Sequence, residues 1–174
     1  LTCSGVLPGT FSVNKTGNYN NNITVSAGCT ITVSTNTTWS SSAAIGTITN
    51  NGTILIPSGT WSLARYHFTN NGTVTHSGTG FTMVSFSTVA FNFTNGASGV
   101  FNFAGGTTFQ VGNLINSGSI SYGGAALSIY GNWNATTGTF NTTGKTIRFN
   151  GDEINSTLTC SGVLPGTFSV NKTG

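Results

Sequence analysis

Few side chains in this 174-residue chain could carry acid–base, nucleophilic or metal chemistry. Its only carboxylates are Asp152 and Glu153. Glycoside hydrolysis needs two carboxyls facing one another across roughly 5–10 Å. Neighbours on a strand point to opposite faces, and the segment Asn150-Gly151-Asp152-Glu153 reads as a solvated polar turn. His67 and His76 flank the turn Asn70-Asn71-Gly72, and two acids in the whole chain leave little to orient either imidazole. There is no Gly-x-Ser-x-Gly elbow, no Cys-x-x-Cys pair and no acidic cluster for calcium. The expectation is a protein that is not an enzyme, with no catalytic, metal or cofactor-binding residues and no cofactor.

Cysteine and asparagine carry the remaining chemistry. The sequence LTCSGVLPGTFSVNKTG occupies residues 1–17 and again residues 158–174. Seventeen identities at an offset of 157 define a complete module, 1–157, followed by the start of the next, 158–174. Each module then has two cysteines, Cys3 and Cys29, because Cys160 copies Cys3. An even count without metal-ligand spacing suggests a Cys3–Cys29 disulfide, with Cys160 pairing into the next module. Two buried free thiols are the alternative. Ten Asn-x-Ser/Thr acceptors occur: Asn14, Asn22, Asn36, Asn51, Asn71, Asn92, Asn134, Asn141, Asn155 and Asn171. Asn14, Asn36 and Asn134 are the favoured sites for glycosylation, although Asn-Gly-Thr is also plain turn chemistry.

Composition narrows the function classes. Charged residues make up 4% of the chain, against roughly a quarter in ordinary globular proteins. The four basic residues of one module, Lys15, Arg65, Lys145 and Arg148, do not cluster, so nucleic acid is not an expected partner. No apolar run is long enough to span a bilayer. Hydration must come from Ser, Thr, Asn and Gly, to which glycans would add.

The elements that position these residues read as strands. Ile31-Thr32-Val33, Phe91-Asn92-Phe93, Phe101-Asn102-Phe103, Ile120-Ser121-Tyr122 and Ile147-Arg148-Phe149 alternate apolar and polar. A Gly followed by a strand-like pair recurs at Gly9, Gly28, Gly52, Gly72, Gly99, Gly118 and Gly138, then at Gly166. The steps are 19, 24, 20, 27, 19, 20 and 28 residues. Such steps suit the turns of a right-handed parallel β-solenoid, about seven irregular turns per module, with glycines supplying positive φ at corners. A β-sandwich is the alternative. Trp39, Trp61, Trp133, Phe86, Phe91, Phe93, Phe101, Phe103, Phe109, Phe140 and Phe149 are expected mostly in its core.

The stretch 127–151 carries Gly131-Asn132-Trp133, Gly138-Thr139-Phe140 and Gly144-Lys145-Thr146-Ile147-Arg148-Phe149-Asn150-Gly151. It resembles a unit of repetitive microbial cell-surface and adhesin-like proteins. That resemblance implies a parallel β-helix in an extracellular, cell-surface fibre, and it transfers no catalytic or binding residue. The resulting expectation is a structural module of a filament or adhesin stalk whose partner is itself, stacked head to tail. A carbohydrate-binding adhesin module, with surface glycans as partners, is the rival. Thr30/Thr32, Thr47/Thr49 and Thr73/Thr75 raise ice binding, which a broken Thr register argues against.

Overall fold

In the computed structural model the described residues are 6–7, 22–33, 36–41, 45–83, 91–106, 108–141, 144–151, 156–161 and 166–172. Among them there are strands and turns but no helix. The poor helix formers Gly, Thr, Ser and Asn dominate, and β-branched and aromatic residues recur at period two. Strand β1 (Val6–Leu7) comes first. The first complete turn is β2 (Ile23–Val25), β3 (Thr30–Thr32) and β4 (Thr37–Ser40). The second is β5 (Gly46–Asn50), β6 (Thr53–Ile56) and β7 (Thr60–Ala64), and the third is β8 (Tyr66–Asn70), β9 (Thr73–His76) and β10 (Gly80–Thr82). The fourth is β11 (Asn92–Asn95), β12 (Val100–Phe103) and β13 (Thr108–Val111). The fifth is β14 (Asn113–Asn116), β15 (Ser119–Tyr122) and β16 (Ala126–Ile129), and the sixth is β17 (Trp133–Ala135), β18 (Thr139–Asn141) and β19 (Thr146–Gly151). Strands β20 (Leu158–Cys160) and β21 (Thr167–Lys172) follow.

Every strand pairs in parallel with the corresponding strand of the next turn, giving three seven-stranded sheets. We call them the first sheet (β2 to β20), the second (β1 to β18) and the third (β4 to β21), after their order along a turn. The fold is a right-handed parallel β-helix of about six turns, not a sandwich. One repeat was phased differently by the sequence. Gly28, Gly52, Gly72, Gly99, Gly118 and Gly138 lead into strands of the second sheet, where Val6 pairs with Thr30. Gly166, the copy of Gly9, opens β21 on the third sheet instead.

Period-two alternation points one side chain in two into the coil. On the first sheet Ile23, Ile48, Phe68, Phe93, Leu114 and Trp133 stack in one buried column. On the third, Trp61, Phe81, Phe109, Leu127 and Ile147 do the same. Rings meet mostly edge to face, as at Phe93–Phe101 (4.9 Å, 90°) and Trp39–Trp61 (5.0 Å, 79°), the arrangement that their quadrupoles favour. Phe86 lies outside the described residues. The other ten aromatics singled out above are in the core, with Phe140 half-buried against it.

The corner between the first and second sheets holds a buried amide ladder. Asn50, Asn70, Asn95 and Asn116 end β5, β8, β11 and β14, and each is at most 1% exposed. Asn50 Nδ2 donates to Asn70 Oδ1 (2.8 Å), Asn70 Nδ2 to Asn95 Oδ1 (2.8 Å) and Asn95 Nδ2 to Asn116 Oδ1 (2.9 Å). The same nitrogens donate upward to backbone carbonyls of Thr73, Val100, Ser119 and Thr139. At the foot, Asn50 Oδ1 accepts from the Gly52 amide. Each buried amide therefore has partners for its oxygen or its nitrogen, which is what makes a polar column tolerable in an apolar core.

The repeated glycines serve this corner. Positive φ is expected of them, yet among the described ones, Gly28, Gly52, Gly72, Gly99, Gly118, Gly138 and Gly166, it occurs only at Gly28 and Gly166. Space is the reason at the others. A Cβ on Gly72 would overlap the Gly52 carbonyl, and one on Gly99 would overlap Asn70 O and Asn95 Oδ1. One on Gly138 would sit 2.6 Å from Asn116 Nδ2. The pattern Asn-x-Gly thus encodes an inward amide and the room it needs. Positive φ falls elsewhere, including the non-glycine corner residues Asn36 (52°) and Arg65 (64°).

Replacing Asn95 by Leu strands Asn70 Nδ2 below and Asn116 Oδ1 above. At about 1–3 kcal/mol per buried orphan, the loss should be about 3 kcal/mol, lowering the melting temperature by roughly 10 °C for a domain of this size. Thr94→Val, one residue away and facing outward, should change stability by under about 0.5 kcal/mol. Thermal melts of the two variants check the contrast.

Candidate functional site: the ends of the solenoid

Asp152 and Glu153 lie outside the described residues, as do Cys3, Asn14 and Asn155. The two histidines separate by face. His67 sits half-buried on the outside of the first sheet, where its Nδ1 accepts the Asn92 amide at 3.0 Å. His76 is fully buried, stacked on Phe103 at 4.7 Å. Its Nδ1 accepts from the Gly78 amide (3.2 Å), so Nε2 carries the proton donated to Gly80 O (2.8 Å). Burial pushes both imidazoles below their usual value of 6.5. Among the described residues no three His, Cys, Asp or Glu side chains gather as a metal site. A depression of about 280 Å³ over Phe103 and Tyr122 is rimmed by Asn102, Ser121 and Asn141, and no acid, imidazole or thiol lines it.

The asparagine acceptors spread over all faces. Asn22, Asn36, Asn51, Asn134, Asn141 and Asn171 are exposed, while Asn71 and Asn92 are half-buried. Asn22, Asn36 and Asn134 each use Oδ1 to accept a backbone amide, from Thr47, Thr60 and Thr136. Asn71 instead spends its Nδ2 on Asn51 Oδ1 (3.1 Å). None of the four ladder asparagines is in an Asn-x-Ser/Thr triplet. The threonine pairs are also placed. Thr47/Thr49 belong to the first sheet, whereas Thr30/Thr32 and Thr73/Thr75 share register on the second with Thr53/Leu55 between them. The comparison used above against their register therefore crossed two sheets, and Leu55 is what interrupts the array.

Described parts of the repeated sequence, residues 6–7, 158–161 and 166–172, lie at the two ends of the coil. At the N-terminal end Val6 and Leu7 extend the second sheet beneath Thr30 and Ile31. At the C-terminal end β20 lies on β17, Trp133 opposite Leu158 and Ala135 opposite Cys160. Strand β21 lies on β19 through six consecutive pairs, Thr146–Thr167 to Gly151–Lys172. The copy continues the inward columns: Leu158 follows Trp133, Phe168 follows Ile147 and Val170 follows Phe149. Phe168 stacks on Trp133 at 6.1 Å. With nothing above them these core-facing residues are open, Leu158 and Phe168 at 39% and Val170 at 73%. Strands β20 and β21 are the outermost described strands of the first and third sheets.

Cysteine fits the same picture. Cys29 is buried beside Val25, since a Cβ on Gly52 would stand 2.5 Å from Cys29 O and 3.1 Å from Val25 Cγ1. Cys160 is an exposed free thiol in the column that runs Val25, Asn50, Asn70, Asn95, Asn116, Ala135, Cys160. The ladder is not legible in the sequence, because Asn-Asn-Gly reads equally as turn chemistry. Nor does the sequence reading name Leu158, Phe168 and Val170 as open core positions, although their spacing on alternate residues is that signal.

No family model, curated protein or solved structure matches the chain. Among the described residues no helix is long and apolar enough to cross a membrane.

The buried histidine gives the fold a pH dependence. A folded-state pKa below the unfolded one means that stability is complete above about 6.5 and is lost as pH falls, because the unfolded chain takes up the proton first. The loss is about 1.4 kcal/mol per pH unit while only the unfolded imidazole is charged. Melting temperature should fall between pH 7 and pH 5, and His76→Gln should flatten that slope more than His67→Gln does.

Proposed function

We propose that this chain is a structural repeat module of an extracellular filament or adhesin stalk, built so that consecutive modules form one continuous β-solenoid. One observation carries the reading: the described strands of the repeated sequence, β20 and β21, lie on β17 and β19 in parallel register. Val6 and Leu7 of the first copy stand beneath β3 at the other end. One turn therefore has a lower face suited to β17 and β19 and an upper face suited to the turn of β2, β3 and β4. Repetition every 157 residues then extends the coil without a cap, each boundary coupled to its neighbours as in other repeat arrays.

Other features support an extracellular, non-catalytic role. A surface with 4% charged residues is hydrated by hydroxyls and amides. Six exposed Asn-x-Ser/Thr asparagines would accept glycans that hydrate it further. A Cys3–Cys29 bridge, repeated as Cys160 to the next module, would staple adjacent turns at each boundary and fits an oxidising compartment.

The test is a chain with a second complete module inserted, compared with the present one by small-angle X-ray scattering. The six complete turns and the one to which β1 belongs, at about 4.8 Å each, should lengthen the rod by about 34 Å at unchanged cross-section. Two beads at variable separation would refute a continuous solenoid.

A further inference from the structure

The outward face of the second sheet has a regularity that end-to-end stacking does not use. From β3, β6, β9, β12, β15 and β18, twelve side chains point outward in two straight columns, in register over all six strands. None of the twelve is buried and none is charged. Eight carry a hydroxyl, including the pairs Thr30/Thr32, Thr73/Thr75 and Ser119/Ser121, and two more are asparagines. Only Leu55 and Val100 are aliphatic.

The other two faces spend their polar groups on the fold. On the first sheet Asn113 Nδ2 donates to Asn92 Oδ1, and Asn22 and His67 accept backbone amides. Along the third, Thr82 donates to Ser62, Thr60 pairs with Thr79, and Arg148 adds a charge. Among the described residues no hydrogen bond engages the outward threonine hydroxyls of the second sheet.

We propose that this face binds ice, by holding water at the positions of an ice surface. The columns set hydroxyls about 4.8 Å apart along the coil and about 6.6 Å apart across it. Each hydroxyl both donates and accepts, so it meets a lattice water in either orientation. The grid is rigid, because the alternate residues Ile31, Ile54, Val74, Phe101 and Ile120 are locked in the core. Ordering water on it therefore costs the protein little entropy.

The other occupants fit less well. The face measures about 30 by 13 Å, roughly 400 Å², half of the roughly 800 Å² per partner that a stable protein interface buries. A soluble sugar wants a concave site with an apolar floor, and the aromatics beneath this face are closed over: Phe101, Phe103 and Tyr122 are at most 4% exposed. Ice offers what the face offers, an extended and neutral grid of donors and acceptors. This inference is independent of how modules join.

The experiment uses the full chain, made without glycans because Asn141 lies on this face. Ice is grown slowly from the solution, and the protein taken into the ice is compared with that left in the liquid. The chain should be enriched in the ice. Thr73→Lys combined with Thr75→Lys places two hydrated charges in the middle of the grid and should return the protein to the liquid. Thr47→Lys combined with Thr49→Lys makes the same change at the same spacing on the first sheet and should leave the enrichment unchanged. Circular dichroism of both variants checks that the fold is kept. Leu55→Thr continues the hydroxyl run from Thr32 to Thr75 and should raise the enrichment. Exclusion of the unsubstituted chain from ice would overturn the proposal. So would equal uptake of the two lysine variants, or retention on crystalline cellulose with none in ice.

Discussion

Four buried asparagines govern how this coil closes. In a parallel β-helix the backbone hydrogen bonds run between turns, so every turn depends on the next having the same shape at each corner. At the corner between the first and second sheets that shape is fixed by the amides of Asn50, Asn70, Asn95 and Asn116. Each amide spans one inter-turn spacing, with all its nitrogens pointing toward the C-terminal end. Aligned amide dipoles strengthen one another along such a chain. The glycines that follow have no side chain because the amides and carbonyls of adjoining turns fill the space. A second set of side chains works at the opposite corner, where Asn22, His67, Asn113 and Asn132 accept backbone amides of Thr47, Asn92, Asn132 and Thr157. Turns of unequal length can thus be held in register.

The inner ladder stops before the module does. Val25 lies below Asn50 and Ala135 lies beyond Asn116, followed by Cys160. The module boundary therefore differs in kind from its interior. Inside, adjacent turns are tied by amide hydrogen bonds; at the boundary, the same column offers apolar contacts and a thiol. This supports assigning the cysteines to the joint between modules.

Much of this was legible in the chain. Period-two alternation gave the strands, as in Phe101-Asn102-Phe103, where both rings are buried. Glycine spacing near 20 gave the turns of the solenoid. The choice between solenoid and sandwich needed pairing information, because alternation says which residues face inward and not which strand lies beside which. The role of Asn-Asn-Gly was hidden for a similar reason. A local turn and an inter-turn ladder use the same residues, and only the partner 20 or more positions away tells them apart. The phase of Gly166 is not legible because Gly-Thr-Phe opens a strand equally well on two sheets. The buried His76 looked like any strand histidine until Gly78, Gly80 and Phe103 surrounded it.

Low charge, open ends and a shared terminal turn combine into one physical description. With 4% charged residues the surface would give little electrostatic repulsion to oppose end-to-end contact in the stacking proposed above. Fibre diffraction from aligned filaments tests the central claim most directly. A continuous solenoid predicts a meridional reflection near 4.8 Å with an axial repeat of about 34 Å, seven turns per module. A repeat of about 40 Å or more, or strands running along the fibre axis so that the reflection near 4.8 Å moves to the equator, would contradict it.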